Sequence, residues 1–383
     1  MKLQIKLDEL RSLLTRAIVP LKVDPAIGSS LRGFGRLDVA NSRLSATVIG
    51  PVVACTIGVP LDGSPEDGAC ACNLEMLADM LAFAPAGEMV DLDFQHATGS
   101  GTMGQLHVRV GKSKFKTPCA HPDIFRPVTP EPAAERAEIE KDTLDGAISA
   151  VQFASAPNDA DNIRSNICLS SHGGKLHAVA MNGIECCICE MGPGTGLKTF
   201  LPSKVAKGLS KMLASGTVTL VAGQKNGYLV QDACVIRFPR SPAAEEKFPD
   251  VGRLLAVEHV MPVGVPTERL KDMVGASRHV SKAECLLAVA GGELTFWAKS
   301  PLDGSEYRAS VSCVAGEGDT IEAGMCPDLL GEFLAKVHAD SITLEFNPKK
   351  NDRGWPWHVK ISDGQRLIFF IKTLAVMSVS PGG

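Results

Sequence analysis

The chain has no surplus of positive charge. Its 39 lysines and arginines face 43 aspartates and glutamates, a formal net charge of −4. Proteins that hold nucleic acid by electrostatic affinity are usually basic, so tight binding through a broad cationic surface is excluded. Long apolar runs are also missing, and none reaches the ~18 residues that span a bilayer. The opening stretch, Met1-Lys-Leu-Gln-Ile-Lys6, lacks the apolar segment and small-residue cleavage site of a signal peptide. A cytoplasmic protein without a membrane partner is expected.

Metal and catalytic motifs are equally scarce. Of the twelve cysteines, Cys168, Cys186, Cys187, Cys189, Cys234, Cys285 and Cys313 sit in β-like apolar runs, where the thiol acts as a small hydrophobe. Cys70 with Cys72, and Cys187 with Cys189, form C-x-C pairs that lack the C-x-x-C or histidine spacing of a zinc site. The nine histidines are scattered, and His107 and His177 fall in strand-like segments. Gly99-Ser-Gly-Thr-Met-Gly104 matches G-x-G-x-x-G, but Gln105-Leu-His-Val-Arg-Val110 alternates like a strand where a dinucleotide site needs a helix. The glycines instead suit a hairpin. The carboxylates of Asp62 to Asp67 read as a solvated turn. No P-loop, nucleophile elbow or H-E-x-x-H is present. The expectation is no enzyme, no cofactor and no metal.

What is present is a repeated unit. In residues 201–221, Ser203 is a candidate N-cap and Gly216 a candidate stop. At helical spacing Val205, Leu209, Met212 and Leu213 share an arc of about 100°, while Lys204, Lys207 and Lys211 share about 60° on the other side. One such helix with a solvated lysine face would be unremarked. However, residues 73–83 and 326–337 repeat the pattern, each followed by a β-rich run. Val205 lies 128 residues after Leu77, and Leu330 a further 125. Leu81, Leu209 and Leu334 correspond in the same way. A period this long exceeds solenoid repeats of roughly 20–50 residues and matches whole domains.

An earlier helix recurs as well. Leu10, Leu13, Leu14 and Ala17 form an apolar stripe within 7–18, with counterparts at Leu144, Ala147, Ile148 and Val151, and at Leu270, Met273, Val274 and Ser277. Each copy reads β-α-β-β-β-α-β-β. The proline- and charge-rich stretch 126–142 contains one linker and Ala256 marks the next boundary, giving domains 1–128, 129–255 and 256–383. Residues 348–356 read as a solvated hairpin loop.

Several local matches accompany this layout. Phe153, the stretch from Asn158 to Arg164, and Leu176-His-Ala-Val-Ala-Met-Asn-Gly183 are similar to a segment ending in Thr-Asp-Gly-His-Arg-Leu. Leu201-Pro-Ser-Lys204 is similar to Val-Pro-Arg-Lys, and Lys247-Phe-Pro-Asp-Val-Gly-Arg-Leu254 to Arg-Phe-Pro-Asp-Tyr-x-Arg-Val. Lys112-Ser-Lys-Phe115 stands where a Gly-Arg-Ser-Arg-Phe element is expected. These motifs belong to the bacterial β sliding clamp, the processivity subunit of DNA polymerase III, and the chain resembles a divergent member of that family.

The resemblance implies an α+β chain of three tandem DNA-clamp domains, each with two helices on antiparallel sheet, closed head to tail as a homodimeric ring around duplex DNA. It implies DNA-facing roles for Lys204, Lys207 and Lys211, and for Arg11, Arg16, Lys22, Asn158, Arg269, Lys271, Arg278 and Lys336. DNA polymerase and clamp-loader subunits would dock short linear motifs in an apolar cleft between the second and third domains. By position that cleft comprises Arg164, Met181, Gly183, Cys186, Pro249, Arg253, Leu254, Val376, Met377 and Val379. The chain departs from the pattern at three places. Ile184-Glu185 replaces His-Arg, making a basic cleft edge acidic; Met377-Ser-Val-Ser-Pro-Gly-Gly383 replaces Met-Pro-Met-Arg-Leu; and Asp24 replaces an arginine, with Lys22 close by. Glu75, Asp79, Asp328 and Glu332 also put acid on the second helices of domains one and three. The alternative is a non-enzymatic scaffold that keeps the clamp fold but has lost or changed its replication partners.

Overall fold

The computed structural model describes residues 1–23, 32–50, 52–95, 104–132, 135–156, 163–240, 242–315, 320–351, 354 and 356–373. Within them one series of elements runs three times. The first pass is β1 (Lys2–Lys6), α1 (Leu7–Ala17), α2 (Val19–Val23), β2 (Phe34–Ala40), β3 (Arg43–Ile49), β4 (Ala54–Pro60), β5 (Gly68–Asn73), α3 (Leu74–Ala82), β6 (Met89–Gln95), β7 (Gln105–Val110) and β8 (Ser113–Pro118). The second is β9 (Glu135–Glu140), α4 (Lys141–Val151), β10 (Asn166–His172), β11 (Lys175–Met181), β12 (Glu185–Pro193), β13 (Lys198–Pro202), α5 (Ser203–Met212), β14 (Thr217–Ala222), β15 (Asn226–Gln231) and β16 (Cys234–Pro239), followed by α6 (Pro242–Lys247) and α7 (Val251–Leu255). The third is β17 (Val260–Pro266), α8 (Thr267–Val280), β18 (Cys285–Ala290), β19 (Glu293–Lys299), β20 (Glu306–Ser312), β21 (Ile321–Met325), α9 (Pro327–Leu334), β22 (Ser341–Phe346), β23 (His358–Ser362) and β24 (Leu367–Lys372).

Each copy therefore holds four strands between its long helices and three after them, one more in each place than the sequence pattern predicted. The overlooked inner strands, β5, β13 and β21, run straight into α3, α5 and α9 without a turn to mark them. The short helix α2 was not anticipated either. The predicted hairpin glycines Gly99 and Gly101 lie outside the described residues; Gly104 lies within them, just before β7. The thiols are free, and all are buried except Cys313 and Cys326, which are half-buried.

Local chemistry explains the helix starts. Asn73 Oδ1 accepts from Met76 N–H at 2.9 Å and caps α3. Pro327 opens α9, where its missing N–H costs no bond. Ser203 is not the cap of α5: Pro202 holds that position without a side-chain bond, and Ser203 is a buried first-turn residue. The first long helix of each copy begins on a borrowed carbonyl. Leu7 N–H donates to Glu88, Lys141 to Gly216 and Thr267 to Asp340, at 2.9, 3.0 and 2.9 Å. Gly216 thus serves α4 rather than ending α5, which stops at Met212.

The predicted core stripes are buried in all three copies. Leu77, Val205 and Leu330 are fully buried, as are Leu81 and Leu209, and Leu334 nearly so. Leu10, Leu144 and Leu270 are buried in the first helices. At roughly 1.5–3 kcal/mol for each large apolar side chain, these stripes fix which face of every helix turns inward.

The chain divides into two compact units, Met1–Asp145 with Leu197–Pro242, and Gly146–Gly196 with Ala243–Gly383. The second copy is thus shared between them. In the first unit an eight-stranded antiparallel sheet runs β5-β2-β3-β4-β16-β15-β14-β9, beside a four-stranded sheet β1-β6-β7-β8. The two copies are fused where β4 pairs with β16, Ala54 opposite Arg237 and Ile57 opposite Cys234. In the second unit β10-β11-β12-β24-β23-β22-β17 lie in that order, and a separate sheet runs β20-β19-β18-β21. There β12 pairs with β24, Glu185 opposite Ile371 and Cys189 opposite Leu367. Beneath it the Phe333 and Phe369 rings stack at 4.7 Å. Among the described residues no helix is long and apolar enough to cross a membrane.

In the first unit α2 packs on α5 at Gly208, where an added Cβ would come 2.6 Å from Val19 Cγ1. Gly208→Val is expected to destabilise the protein by about 1–3 kcal/mol through overpacking. Thermal unfolding checks this, and an unchanged midpoint would contradict the close approach.

Candidate nucleic-acid interface and peptide cleft

In the first unit, α5 presents its lysines at i, i+3 and i+7, on one face opposite the buried Val205 and Leu209. Lys204, Lys207 and Lys211 are exposed, and their side chains make no ion pair or hydrogen bond among the described residues. Lys22, in the last turn of α2, is also exposed. The two arginines of α1 are engaged differently. Arg11 donates to the carbonyls of Leu81, Ala82 and Ala84, the closest at 2.5 Å, and so closes the C-terminus of α3. Arg16 Nε donates to Met212 O at 2.9 Å, at the C-terminus of α5. Both cations sit where a helix dipole is negative. They hold helix ends, so among the candidate DNA-facing cations of this unit only those of α5 and α2 are left free. Asp79 is exposed on α3 and Glu75 half-buried, so acid shares the polar surface.

In the second unit most of the candidate cations are engaged. Lys271 bonds Glu268 at 2.8 Å and the Val337 carbonyl at 3.1 Å, and Arg278 pairs with Asp328 at 2.6 Å. Lys336 reaches Ser149 Oγ at 3.4 Å. Arg269 is exposed and makes no ion pair among the described residues. Asn158 lies outside the described residues.

The candidate cleft residues also lie in this unit. Asn182 organises the β11–β12 turn: its Oδ1 accepts from Ile184 and Glu185 N–H at 3.0 and 3.1 Å, and its Nδ2 donates to Glu185 Oε1 at 2.8 Å. Gly183 takes φ +94°, and the Arg164 guanidinium lies over it, 3.4 Å from where a Cβ would stand. Asp250 caps α7 through Gly252 and Arg253 N–H, and these bonds hold its carboxyl below the usual range. The His172 ring covers Gly252 so closely that a Cβ there would fall 2.0 Å from Cε1. That contact fixes α7 against β10. Met181, Pro249 and Leu254 are half-buried, Cys186 is buried, and Arg253 is exposed. Val376, Met377 and Val379 lie outside the described residues.

The acidic edge predicted at Ile184-Glu185 takes a different form. Ile184 is 45% exposed and Glu185 only 3%. Ile184 ends the β11–β12 turn and faces out, while Glu185 opens β12 with its carboxyl buried against Asn182, so the exposed residue here is apolar and the acid lies beneath it. Glu185 Oε2 has no hydrogen-bond partner. Burial, with the Glu332 carboxylate adding to it, pushes the group up to about 7 despite the Asn182 bond. Burial likewise pushes the neighbouring Cys186 thiol up to about 12. Among the described residues no three His, Cys, Asp or Glu side chains cluster as a metal cage. The capping duties of Arg11 and Arg16 had no local sequence signal, because their acceptors lie 70 and 196 residues away.

Three passes of one strand-and-helix series, fused by shared sheets, are the fold of a sliding clamp. More particularly, the chain is similar along 98% of its length to solved DNA polymerase III β subunits. With that of Pseudomonas aeruginosa the TM-score is 0.83 at 18% identity, covering 100% of that chain. Caulobacter crescentus pol III beta gives 0.83 at 18%, again over the whole of that chain. The Thermotoga maritima β subunit gives 0.80 at 16%, over 99% of its chain. One of the Pseudomonas structures has griselimycin bound. No family model and no curated protein matches the sequence.

Glu185 gives a pH test. A carboxyl whose folded pKa is raised from 4.5 to about 7 binds more protons folded than unfolded between those values, so stability falls as pH rises through that window. Glu185→Gln is expected to match the parent near pH 4 and to exceed it at pH 8 by on the order of 2–3 kcal/mol. Denaturant melts across pH check this, and parallel profiles would contradict it.

Proposed function

We propose that the chain is a divergent member of the DNA polymerase III β family, a sliding clamp that encircles duplex DNA and tethers a replicative polymerase. The observation that carries this reading is a pairing rule. In each copy the third strand after the first long helix is β4, β12 or β20, and the last strand is β8, β16 or β24. β4 pairs with β16 of the next copy, and β12 with β24 of the next. By the same rule β20 calls for a partner equivalent to β8. Within one chain each is the edge of its own four-stranded sheet. Open edges invite pairing, and a second chain placed head to tail supplies β8 to β20 and β20 to β8. Two chains then close a ring of six domains, bounded in each chain at 1–128, 129–255 and 256–383.

Enclosure reconciles the role with the charge. Affinity from neutralised phosphates falls steeply as salt rises, whereas an enclosing ring stays on the duplex without it. A ring needs only modest attraction along its lining, and the unpaired Lys204, Lys207 and Lys211, with Lys22 and Arg269, are suited to supply it. The protein is read as a non-enzymatic accessory subunit that raises the polymerase's effective concentration at the template. Partner motifs from polymerase and clamp loader would enter between the second and third domains, beside Met181, Gly183, Cys186 and α7. The apolar rim at Ile184 favours a motif whose anchor at that point is apolar. A scaffold with changed partners is the second reading, favoured by Glu185 beneath that rim and by the acids of α3.

Lys204→Glu, Lys207→Glu and Lys211→Glu combined are expected to abolish loader-dependent processive synthesis while the thermal melt stays that of the parent. Unchanged processivity would contradict the lysine assignment. Recovery of polymerase or loader subunits by the parent chain supports the clamp over the scaffold, and their absence supports the scaffold.

A further inference from the structure

His259 lies in the connector between α7 and β17, and His358 opens β23, within the same unit. Their Nε2 atoms are 3.0 Å apart. His259 Nδ1 is 2.7 Å from the Val257 carbonyl, which can only accept, so the proton sits on Nδ1 and the Nε2 lone pair of the neutral ring is free. A backbone carbonyl orienting the far nitrogen is the usual support of a metal-bound imidazole. His358 meets that lone pair by donating its own Nε2–H. Moving this proton to Nδ1 frees a second lone pair with no net proton released. Phe370 walls the pair, its ring 5.7 Å from that of His259 and 5.9 Å from that of His358. Both imidazoles are half-buried, so one side of the pair is open to water.

From this geometry we infer a two-histidine chelate for a late first-row divalent cation, with water completing the coordination shell. Two nitrogens at ~2.1 Å from one ion lie about 3.0 Å apart at right angles and about 3.4 Å apart in tetrahedral placement, so the hydrogen-bonded pair needs to move little to take one ion. Imidazole binds Ni2+ and Cu2+ well, and the affinity order of the first-row series favours them as probes. Asn347, whose amide nitrogen is 3.4 Å from His358 Nε2, flanks the site, and its Oδ1 already accepts from Lys349 N–H. Bound metal would pin the connector ahead of β17 to β23. The site owes nothing to DNA or to the partner cleft, so it stands or falls separately from the clamp reading.

Burial holds both rings in the neutral form that metal requires. His358 is pushed down to about 4 by burial and by His259, and His259 is lowered chiefly by burial, with Lys360 lowering it further and Glu345 opposing. Lys360 and Glu345 face the pair from β23 and β22 and bond each other at 2.6 Å.

The test is calorimetric titration of the full-length chain with Ni2+ alone, and Cu2+ electron paramagnetic resonance. One saturable ion per chain is expected at about pH 7.5, with two imidazole nitrogens in the Cu2+ spectrum. His259→Gln, in the connector outside the sheet, should lose at least about tenfold in affinity and show one nitrogen, while its metal-free melt is unchanged. His358→Ala should lose as much. If His358→Ala does not fold, the His259 variant alone decides. Parent-like Ni2+ affinity in His259→Gln, or no saturable binding by the parent, overturns the site.

Discussion

An unpaired sheet edge must be satisfied, and that demand orders the whole molecule. Backbone N–H and C=O groups along a strand need partners, and this chain supplies them by joining each copy of its repeat to the next. The β4–β16 and β12–β24 seams are main-chain ladders, so they depend little on side-chain identity. That independence explains how the clamp fold persists at 14–18% identity to solved relatives. It also leaves β8 and β20 paired on one side only, without the partner from another copy that β4, β12, β16 and β24 each have.

Much of this was legible in the sequence because the repeat is periodic in burial. Leu77, Val205 and Leu330 stood out at helical spacing and are core residues in the structure. Strands β5, β13 and β21 were not legible. β5 reads Gly-Ala-Cys-Ala-Cys-Asn, poor in β-branched and aromatic residues, and passes into α3 with no turn between. Ser203 misled because a serine after proline resembles a cap, although the turn is already built from Pro202. Gly216 misled for a related reason: its positive φ ends a turn that α4 uses from another part of the chain.

Of the candidate site, exposure was legible in the sequence and engagement was not. Lysines on the polar face of α5 could be read from period alone. Arg11 and Arg16 could not be told from them, because a cation that caps a distant helix looks the same in sequence as one facing solvent. His259 and His358, 99 residues apart, were invisible to any spacing rule. Glu185 was recognised as a departure, yet only the strand register shows that its carboxyl lies under the rim.

On the clamp reading proposed above, a net charge of −4 argues against a broad cationic grip on DNA, and the two open edges at β8 and β20 favour closure instead. The most direct measurement is solution mass by light scattering joined to negative-stain microscopy of the same peak. A head-to-tail dimer should give twice the 40.5 kDa chain mass and a closed ring with a hole wide enough for duplex DNA. A particle of single-chain mass without an aperture would contradict it.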